Sequence, residues 1–273
     1  MVIFRIKKVS RFGNYKIYIK SIFFVMLAVF SYTTILFSPV PLGILLCLYI
    51  LLGTVFAGIG FNVMHDGGHG SYSRKNWLNE IAGYSLNLMG GNIFIWKNKH
   101  NCNHHNYTNV EGLDDDIDIK PWVRTHLSQP KHWYHRYQHI YALGLYGLTH
   151  LNWVFIGDFK KYFSKKIGNT DLLRMNLKEH FIFWISKALF ITLFLVIPIV
   201  QFGFWKAFIG YILMSFVCGF ILGIVFQLAH LVEDAEFPLP LENSNKLEKT
   251  WVLHQIATTA NFAIKNKFSQ VAT

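Results

Sequence analysis

Four apolar stretches constrain the fold of this chain most, because each is long enough to cross a lipid bilayer as a helix. A spanning helix needs roughly 20 predominantly apolar residues. The stretches cover residues 21–38, 41–63, 181–200 and 204–227. Very short connections join the first two and the last two, which makes each pair an antiparallel helical hairpin. We therefore predict an all-α integral membrane protein with about four transmembrane helices in two hairpins.

Composition and charge agree with this class. Hydrophobic residues make up 52% of the chain and aromatic residues 17%, as expected for lipid-facing helices and interfacial belts. Of 26 Lys and Arg residues, six precede the first stretch and 14 lie between residues 70 and 180. Because Lys and Arg gather on the cytoplasmic side of membranes, we expect both termini and the segment 64–180 in the cytoplasm. This asymmetry explains the net charge of +11 without a nucleic-acid partner.

A weaker apolar stretch covers residues 78–96. It contains Glu80, three asparagines and three glycines, and burying that much polarity in lipid would be costly. We therefore interpret it as interfacial or partly embedded, and as part of a cytoplasmic helical cap between the two hairpins. Lys187 lies inside the third stretch, and we expect it either to snorkel or to precede the true start of that span.

Two histidine clusters are the chemically distinctive feature of this cap. The first reads His65-Asp66-Gly67-Gly68-His69, and the second His100-Asn101-Cys102-Asn103-His104-His105. Residues four apart on a helix lie about 40° apart on one face, so each cluster presents two imidazoles to one ion. His105 points about 100° away from His104 and is able to reach a second metal. Gly67 and Gly68 are poor helix formers whose use would be the close approach of another backbone or side chain.

The histidines favour redox-active iron over zinc. Together with His230, which follows the end of the fourth apolar stretch, the clusters place six or more imidazoles on one membrane face. That number exceeds the four ligands that satisfy zinc and suits iron that leaves positions open for oxygen. The three cysteines form neither an iron–sulfur nor a haem-attachment pattern. Asp66 and the acidic run that includes Asp114 and Asp115 are candidates for orienting the imidazoles. The alternative for the run is a solvated turn.

A third histidine group has two interpretations. His132, His135 and His139 recur at i, i+3 and i+7 among aromatic and basic residues. This spacing favours an amphipathic interfacial helix, and contact with the acyl headgroup is the alternative. Of the three, we keep His139 as a candidate for orienting a metal ligand.

The two clusters, with Tyr107-Thr108-Asn109 and the acidic run after them, resemble the membrane fatty-acid desaturases. The bacterial front-end branch, typified by linoleoyl-CoA desaturase, is the most similar. Phe226-Gln227-Leu228-Ala229-His230, and His254-Gln255 followed by Thr258-Thr259-Ala260-Asn261-Phe262, resemble later segments of that branch. The resemblance implies a single desaturase domain over residues 1–273 in a bacterial inner membrane. The metal ligands it implies are His65, His69, His100, His104, His105, His230 and His254.

The same resemblance implies the reaction and its partners. We expect two iron ions, O2 as co-substrate, and insertion of a double bond into a fatty acyl chain carried on CoA or on a lipid. Electrons would come from a separate donor such as a cytochrome b5 or a ferredoxin. The branch also carries a Q-x-x-H-H box that is not found in residues 1–273, so we expect a truncated desaturase with an incomplete second iron site. A related hydroxylase and an inactive membrane metal-binding remnant are the alternatives.

Overall fold

The computed structural model describes residues 10–230, 235–241 and 247–259. Two short strands, β1 (Lys166–Ile167) and β2 (Thr170–Asp171), pair as an antiparallel hairpin, and within the described ranges every other regular element is helical. In chain order the α-helices are α1 (Tyr15–Phe37), α2 (Leu42–Gly68), α3 (Asn76–Leu88), α4 (Ile93–Lys97), α5 (Gln138–Gly147), α6 (Thr149–Asn152), α7 (Asp158–Ser164), α8 (Leu177–Phe202), α9 (Phe204–His230) and α10 (Trp251–Thr258). The predicted all-α class is confirmed.

Among the described residues, four helices are long and apolar enough to span a membrane, at 23 to 27 residues: α1, α2, α8 and α9. At about 1.5 Å per residue, each exceeds the roughly 30 Å of a hydrocarbon core. The predicted number of spans is therefore confirmed, although the helices run longer than the apolar stretches. Helix α1 starts at Tyr15 because the side chain of Asn14 accepts the Lys16 N–H at 2.9 Å and caps its first turn.

The described chain forms two compact units. The first contains residues 10–93 and 177–218, and the second contains residues 94–176 together with the described residues after Cys218. Within the first unit, glycines let the spanning helices approach closely. A Cβ atom on Gly53 of α2 would lie 2.3 Å from the Met214 carbonyl oxygen of α9. Tight packing of small residues is the usual source of helix association in lipid, where the hydrophobic effect between helices is weak.

Helix α3 of the first unit is amphipathic and packs against the end of α2. Its 13 residues span about 20 Å, too little to cross a bilayer. Trp77, Ile81 and Leu88 are exposed on one face. On the opposite face the backbone of Gly83 meets Gly67, where an added Cβ would lie 2.5 Å from the Gly83 nitrogen. The expectation that a glycine of the first cluster serves close backbone approach is confirmed for Gly67.

Lys187 differs from its prediction. It lies well inside α8, buried at 3% exposure, and its ammonium donates to the Gly90 carbonyl at 2.5 Å. The side chain therefore neither snorkels to the bilayer surface nor precedes the span. A buried ammonium requires a partner, and the turn that follows α3 supplies one. The neighbouring Ser186 accepts a hydrogen bond from Asn87 at 3.1 Å, so this turn is fastened to α8 at two points.

The second unit holds the second histidine cluster, at the start of a largely irregular segment. Helix α4 continues directly into a π-helical turn, Asn98–His104. From there to α5 the chain is held mainly by hydrogen bonds and ion pairs of polar side chains. Gly219 in the last part of α9 allows close packing on the α5–α6 corner, because a Cβ there would lie 2.6 Å from the Gly147 carbonyl oxygen. This contact places the end of α9, and with it His230, within the second unit.

Candidate metal centre

The first histidine pair lies at the end of α2. A π-helical turn, Gly60–Met64, precedes it, and the His69 N–H donates to the His65 carbonyl at 3.0 Å. The two Nε2 atoms are 3.3 Å apart. Two nitrogen ligands of one ion, each bound at roughly 2.1 Å, lie about 3.0–3.4 Å apart. The pair is thus able to hold one metal ion between its two Nε2 atoms.

Asp66 does not have the role expected from the sequence. Its carboxylate lies 4.0 Å from Nδ1 of His65, which is beyond hydrogen-bond range. The backbone carbonyl of Asp66 instead accepts the N–H groups of Ser71 and Tyr72 at 2.9 and 3.1 Å. Asp66 therefore shapes the turn after α2 through its backbone, because the helix directs its side chain away from the neighbouring imidazole.

The second cluster adopts a geometry that an α-helical spacing does not predict. The His105 N–H donates to the His100 carbonyl at 3.0 Å, an i to i−5 bond that widens the turn. His105 therefore lies over His100, with ring centroids 4.7 Å apart, while His100 and His104 stack at 5.1 Å. The His105 ring also lies close to the His104 ring, at 5.4 Å, so the regular helical step that would direct it away from His104 does not apply; its role as ligand of a second metal stays a prediction. The π turn gathers the three imidazoles into one group.

Two carboxylates fix the orientation of two of these rings. Asp114 accepts a hydrogen bond from Nδ1 of His104 at 2.9 Å, and Asp116 contacts Nδ1 of His100 at 2.9 Å. A hydrogen bond at Nδ1 selects the tautomer whose Nε2 carries the metal-binding lone pair. This carboxylate–histidine arrangement is typical of metal-bound imidazoles. Ligand atoms of His100, His104 and Asp116 all lie within 4.8 Å of one another, so these residues form a group able to hold a metal ion.

Asp115 has a different partner from the one predicted. Its carboxylate pairs with Lys161 of α7 at 2.9 Å, and its N–H donates to the side chain of Asn103 at 3.2 Å. Successive side chains of a turn point in different directions, so only alternate members of the acidic run reach the imidazoles. The sequence offered the whole run Asp114–Asp118 and singled out Asp114 and Asp115, because the register of a turn is not visible in a run of aspartates.

Charges around Asp116 keep this carboxylate ionised. Burial alone would raise the pKa of Asp116, but Lys99 at 2.5 Å and the neighbouring imidazoles hold it well below its usual value. Burial likewise acts to lower the pKa of His104, and the hydrogen bond and charge of Asp114, together with the charge of Asp116, raise it instead. The ionised carboxylates therefore stabilise positive charge on the groups beside them, Lys99 and His104.

His230 and His254 complete the set in the second unit. The His230 ring lies perpendicular to the His104 ring, with centroids 4.6 Å apart. His254 is buried at 1% exposure on α10. Trp251 and Gln255, on the same helix, both donate to the His105 carbonyl at 3.0 Å. Helix α10 is therefore fastened to the second histidine cluster by the residues on either side of His254.

Two buried nitrogen atoms bear on whether these residues fit a metal ion. Within the part of the chain that the structure describes, Nδ1 of His230 and Nε2 of His254 are buried and have no hydrogen-bond partner. An unsatisfied buried polar group costs about 1–3 kcal/mol, a cost that a bound metal ion or a water molecule would remove. Burial also lowers the pKa of His254, which keeps its ring neutral, as metal ligation requires. The donor set fits a metal ion that prefers nitrogen ligands.

The third histidine group is structural. His135 is buried, where it donates from Nε2 to the Pro121 carbonyl at 2.8 Å and accepts the His132 N–H at Nδ1. His132 and His139 are exposed, so the three do not share the face of one helix; a 3-10 turn, Trp133–Tyr137, precedes α5 instead. Among the described residues, no hydrogen bond joins His139 to the histidines of the second cluster. The structure gives no support to the metal-orienting role expected for His139.

Comparison with known proteins is informative over most of the chain. Residues 39–272 match the family model for fatty acid desaturase. The chain is 37% identical over 223 residues to an acyl-lipid (8-3)-desaturase of Physcomitrium patens, a match covering 80% of this chain and 46% of that protein. It is 31% identical over 261 residues to an sn-1 linoleoyl-lipid 6-desaturase of Arthrospira platensis, covering 95% of this chain and 70% of the relative. The chain thus spans about half the length of the first relative.

Proposed function

Because the chain belongs to the fatty acid desaturase family, we propose that it inserts a double bond into a fatty acyl chain at a histidine-ligated iron centre. The observation that carries the proposal is the pair of buried, unpartnered imidazole nitrogens on His230 and His254. They accompany His100 and His104, two rings that carboxylates already orient as ligands. If these histidines had a purely structural role, we would expect their ring nitrogens to be hydrogen-bonded to protein groups.

Iron is the metal that suits both the ligands and the reaction. Side chains cannot remove hydrogen from an unactivated methylene, so a bound redox metal has to supply the oxidising chemistry. Seven proposed imidazole ligands exceed the six positions of one octahedral ion, and oxygen needs an open position as well. We therefore propose two iron ions held by His65, His69, His100, His104, His105, His230 and His254.

The protein's own contribution is to bind and orient. Asp114 and Asp116 hold the Nδ1 protons of His104 and His100, so that these rings stay in one tautomer and one orientation. The bulky side chain of Phe226 lies against the rings of His104 and His230, at centroid distances of 5.4 and 4.9 Å, and helps to exclude water from them. A dry, preorganised ligand set limits side reactions of the oxidant.

The electron balance of the reaction defines which partners it requires. Reducing O2 to two molecules of water takes four electrons, of which the acyl chain supplies two as it loses two hydrogens. The other two electrons require a donor, and we propose a separate cytochrome b5 or ferredoxin. The relatives are named for acyl-lipid substrates, which favours a lipid rather than CoA as the acyl carrier here.

Hydropathy and charge support a cytoplasmic position for the histidine clusters in a bacterial inner membrane. The segment between α2 and α8 carries most of the Lys and Arg residues, whereas the turns at Pro39 and Gly203 carry none. Reporter fusions at Pro39 and Gly203 should therefore report the outside and a fusion at Ser128 the inside. An external Ser128 would overturn this orientation.

The activity is tested by expressing the chain in a bacterial host together with a reductant system and analysing the host fatty acids. We expect new double bonds when the chain, or its His139→Ala variant, carries a C-terminal extension bearing Q-x-x-H-H, and none when His104→Ala carries the same extension. Hydroxylated fatty acids in place of unsaturated ones would favour the related hydroxylase. Equal product from the two histidine variants would contradict the proposed centre.

A further inference from the structure

We propose that Asn109 is a positioning residue of the metal centre, a role that rests on the proposed function of that centre. Asn109 is fully buried and contacts none of the imidazole rings in the hydrogen bonds that the structure describes. It is linked instead to the backbone of one proposed ligand, to the carboxylate that orients a second, and to the last residue of the helix that bears a third. These ligands are His104, His230 and His254, which come from three separate segments of the chain.

The side-chain amide of Asn109 ties two of these segments together. Its Nδ2 donates to the carbonyl of His230 at 2.9 Å and to that of Thr258 at 3.1 Å. The first acceptor belongs to a proposed ligand itself, at the end of α9. The second is the last residue of α10, one turn after His254, and its hydroxyl donates back to the His254 carbonyl at 2.8 Å. One amide group therefore sets the separation of the helix ends that bear the two unpartnered imidazole nitrogens.

The backbone of Asn109 reaches the third segment. Its N–H donates at 2.9 Å to Oδ2 of Asp114, the carboxylate that accepts the Nδ1 proton of His104. Since a carboxylate with a fixed second partner cannot rotate freely, this bond helps to fix the plane that orients the His104 ring. Asn109 thus joins the orienting carboxylate of one ligand to the helix ends of two others.

The residue type follows from the backbone conformation. Asn109 has a φ of 60°, in the left-handed region that asparagine and glycine adopt more readily than other residues. The acceptors are all carbonyl oxygens, so the side chain also has to be a donor. Aspartate would keep the shape and the backbone conformation but would set a carboxylate against these oxygens. Glycine would keep the backbone conformation and remove the tie together with the packing of the buried side chain, a loss that thermal unfolding detects separately.

The test measures metal binding to the purified, metal-free full-length chain in detergent, with Co2+ as the spectroscopic probe. The variants are Asn109→Gly and Asn109→Asp. Asn106→Ala is the matched control, because Asn106 lies three residues earlier and its exposed amide bonds only to the Cys102 carbonyl of its own turn. Thermal unfolding of each metal-free form separates loss of fold from loss of ligand geometry. Changing a group that orients metal ligands typically lowers metal affinity about 10- to 100-fold.

We expect Asn109→Gly to lose affinity for Co2+ by about that factor and to change the visible absorption bands that report cobalt coordination, with Asn109→Asp affected more. Asn106→Ala should match the unaltered chain in its affinity for Co2+ and in its absorption bands. Unchanged affinity and bands in a folded Asn109→Gly would overturn the proposal while leaving the metal centre intact. If neither Asn109 variant folds, Asn109 is a determinant of the fold rather than a positioning residue, and the proposal is overturned in this case as well. Absence of Co2+ binding by the unaltered chain would contradict the metal centre itself.

Discussion

The two histidine regions each bring a pair of imidazoles together, but by different means and in different arrangements. The His65 and His69 rings meet edge to face at 4.4 Å, and the His100 and His104 rings stack at 5.1 Å. In the first unit, His65 and His69 face each other because they lie one helical turn apart, and the Asp66 carboxylate stays 4.0 Å from the nearer ring. In the second unit, His100 and His104 are also four residues apart, but each ring is held by its own carboxylate. The first pair depends on the course of a helix, and the second depends on a polar network.

The two histidine regions also differ in how deeply their side chains are buried. The side chain of His65 is 38% exposed, whereas that of His104 is 1% exposed. A buried imidazole cannot be oriented by water, so the protein has to supply each hydrogen bond. We conclude that changes remote from the ligands disturb metal binding more strongly in the second unit than in the first.

The largest expected effect comes from removing an orienting carboxylate in the second unit. Asp114→Asn keeps the size of the side chain but weakens its hydrogen bond to Nδ1 of His104. Changes of this kind typically lower metal affinity about 10- to 100-fold. Metal titration of the purified variant measures the change. Asp66→Asn in the first unit should leave the affinity within about threefold of the unaltered chain, since its carboxylate orients no ring.

Asp115→Asn is the matched control for Asp114→Asn. It removes the neighbouring negative charge and a partly exposed ion pair with Lys161, which contributes little. Equal losses at positions 114 and 115 would indicate that the total charge matters rather than the orientation of His104. A loss at Asp66 as large as that at Asp114 would remove the distinction between the two regions.

A smaller effect is expected at the helix contact that supports the first pair. Gly67→Ala would place a Cβ 2.5 Å from the backbone nitrogen of Gly83, and overpacking of this kind costs about 1–3 kcal/mol. Thermal unfolding in detergent should therefore shift down by several degrees. Gly144→Ala is the control, because nothing lies within 4 Å of its added Cβ. An unshifted Gly67→Ala would show that α2 and α3 separate freely at this point.

Much of the fold could be predicted from the sequence because its cause is local. Apolar runs of membrane length give the four spans, and paired glycines indicate the contact made by Gly67. The i, i+4 spacing likewise predicts that His65 faces His69. These features need only the period of a helix and the thickness of a bilayer.

The remaining parts of the site depend on contacts that sequence spacing does not contain. The π turn that brings His105 over His100 replaces the regular helical period with an i to i−5 bond. The selection of Asp116 rather than Asp115 depends on the path of a loop. The role of Asn109 could not be predicted either, because it depends on hydrogen bonds to the ends of two helices that lie far away in the sequence.

Metal content measured on the purified chain tests the central claim most directly. We predict that protein from cells grown with both metals contains iron well in excess of zinc, and that His104→Ala loses most of it while His139→Ala retains it. Elemental analysis of the three proteins, normalised to chain concentration, gives the result. Zinc in excess of iron, or equal iron loss from His104→Ala and His139→Ala, would contradict a histidine-ligated iron centre in this protein.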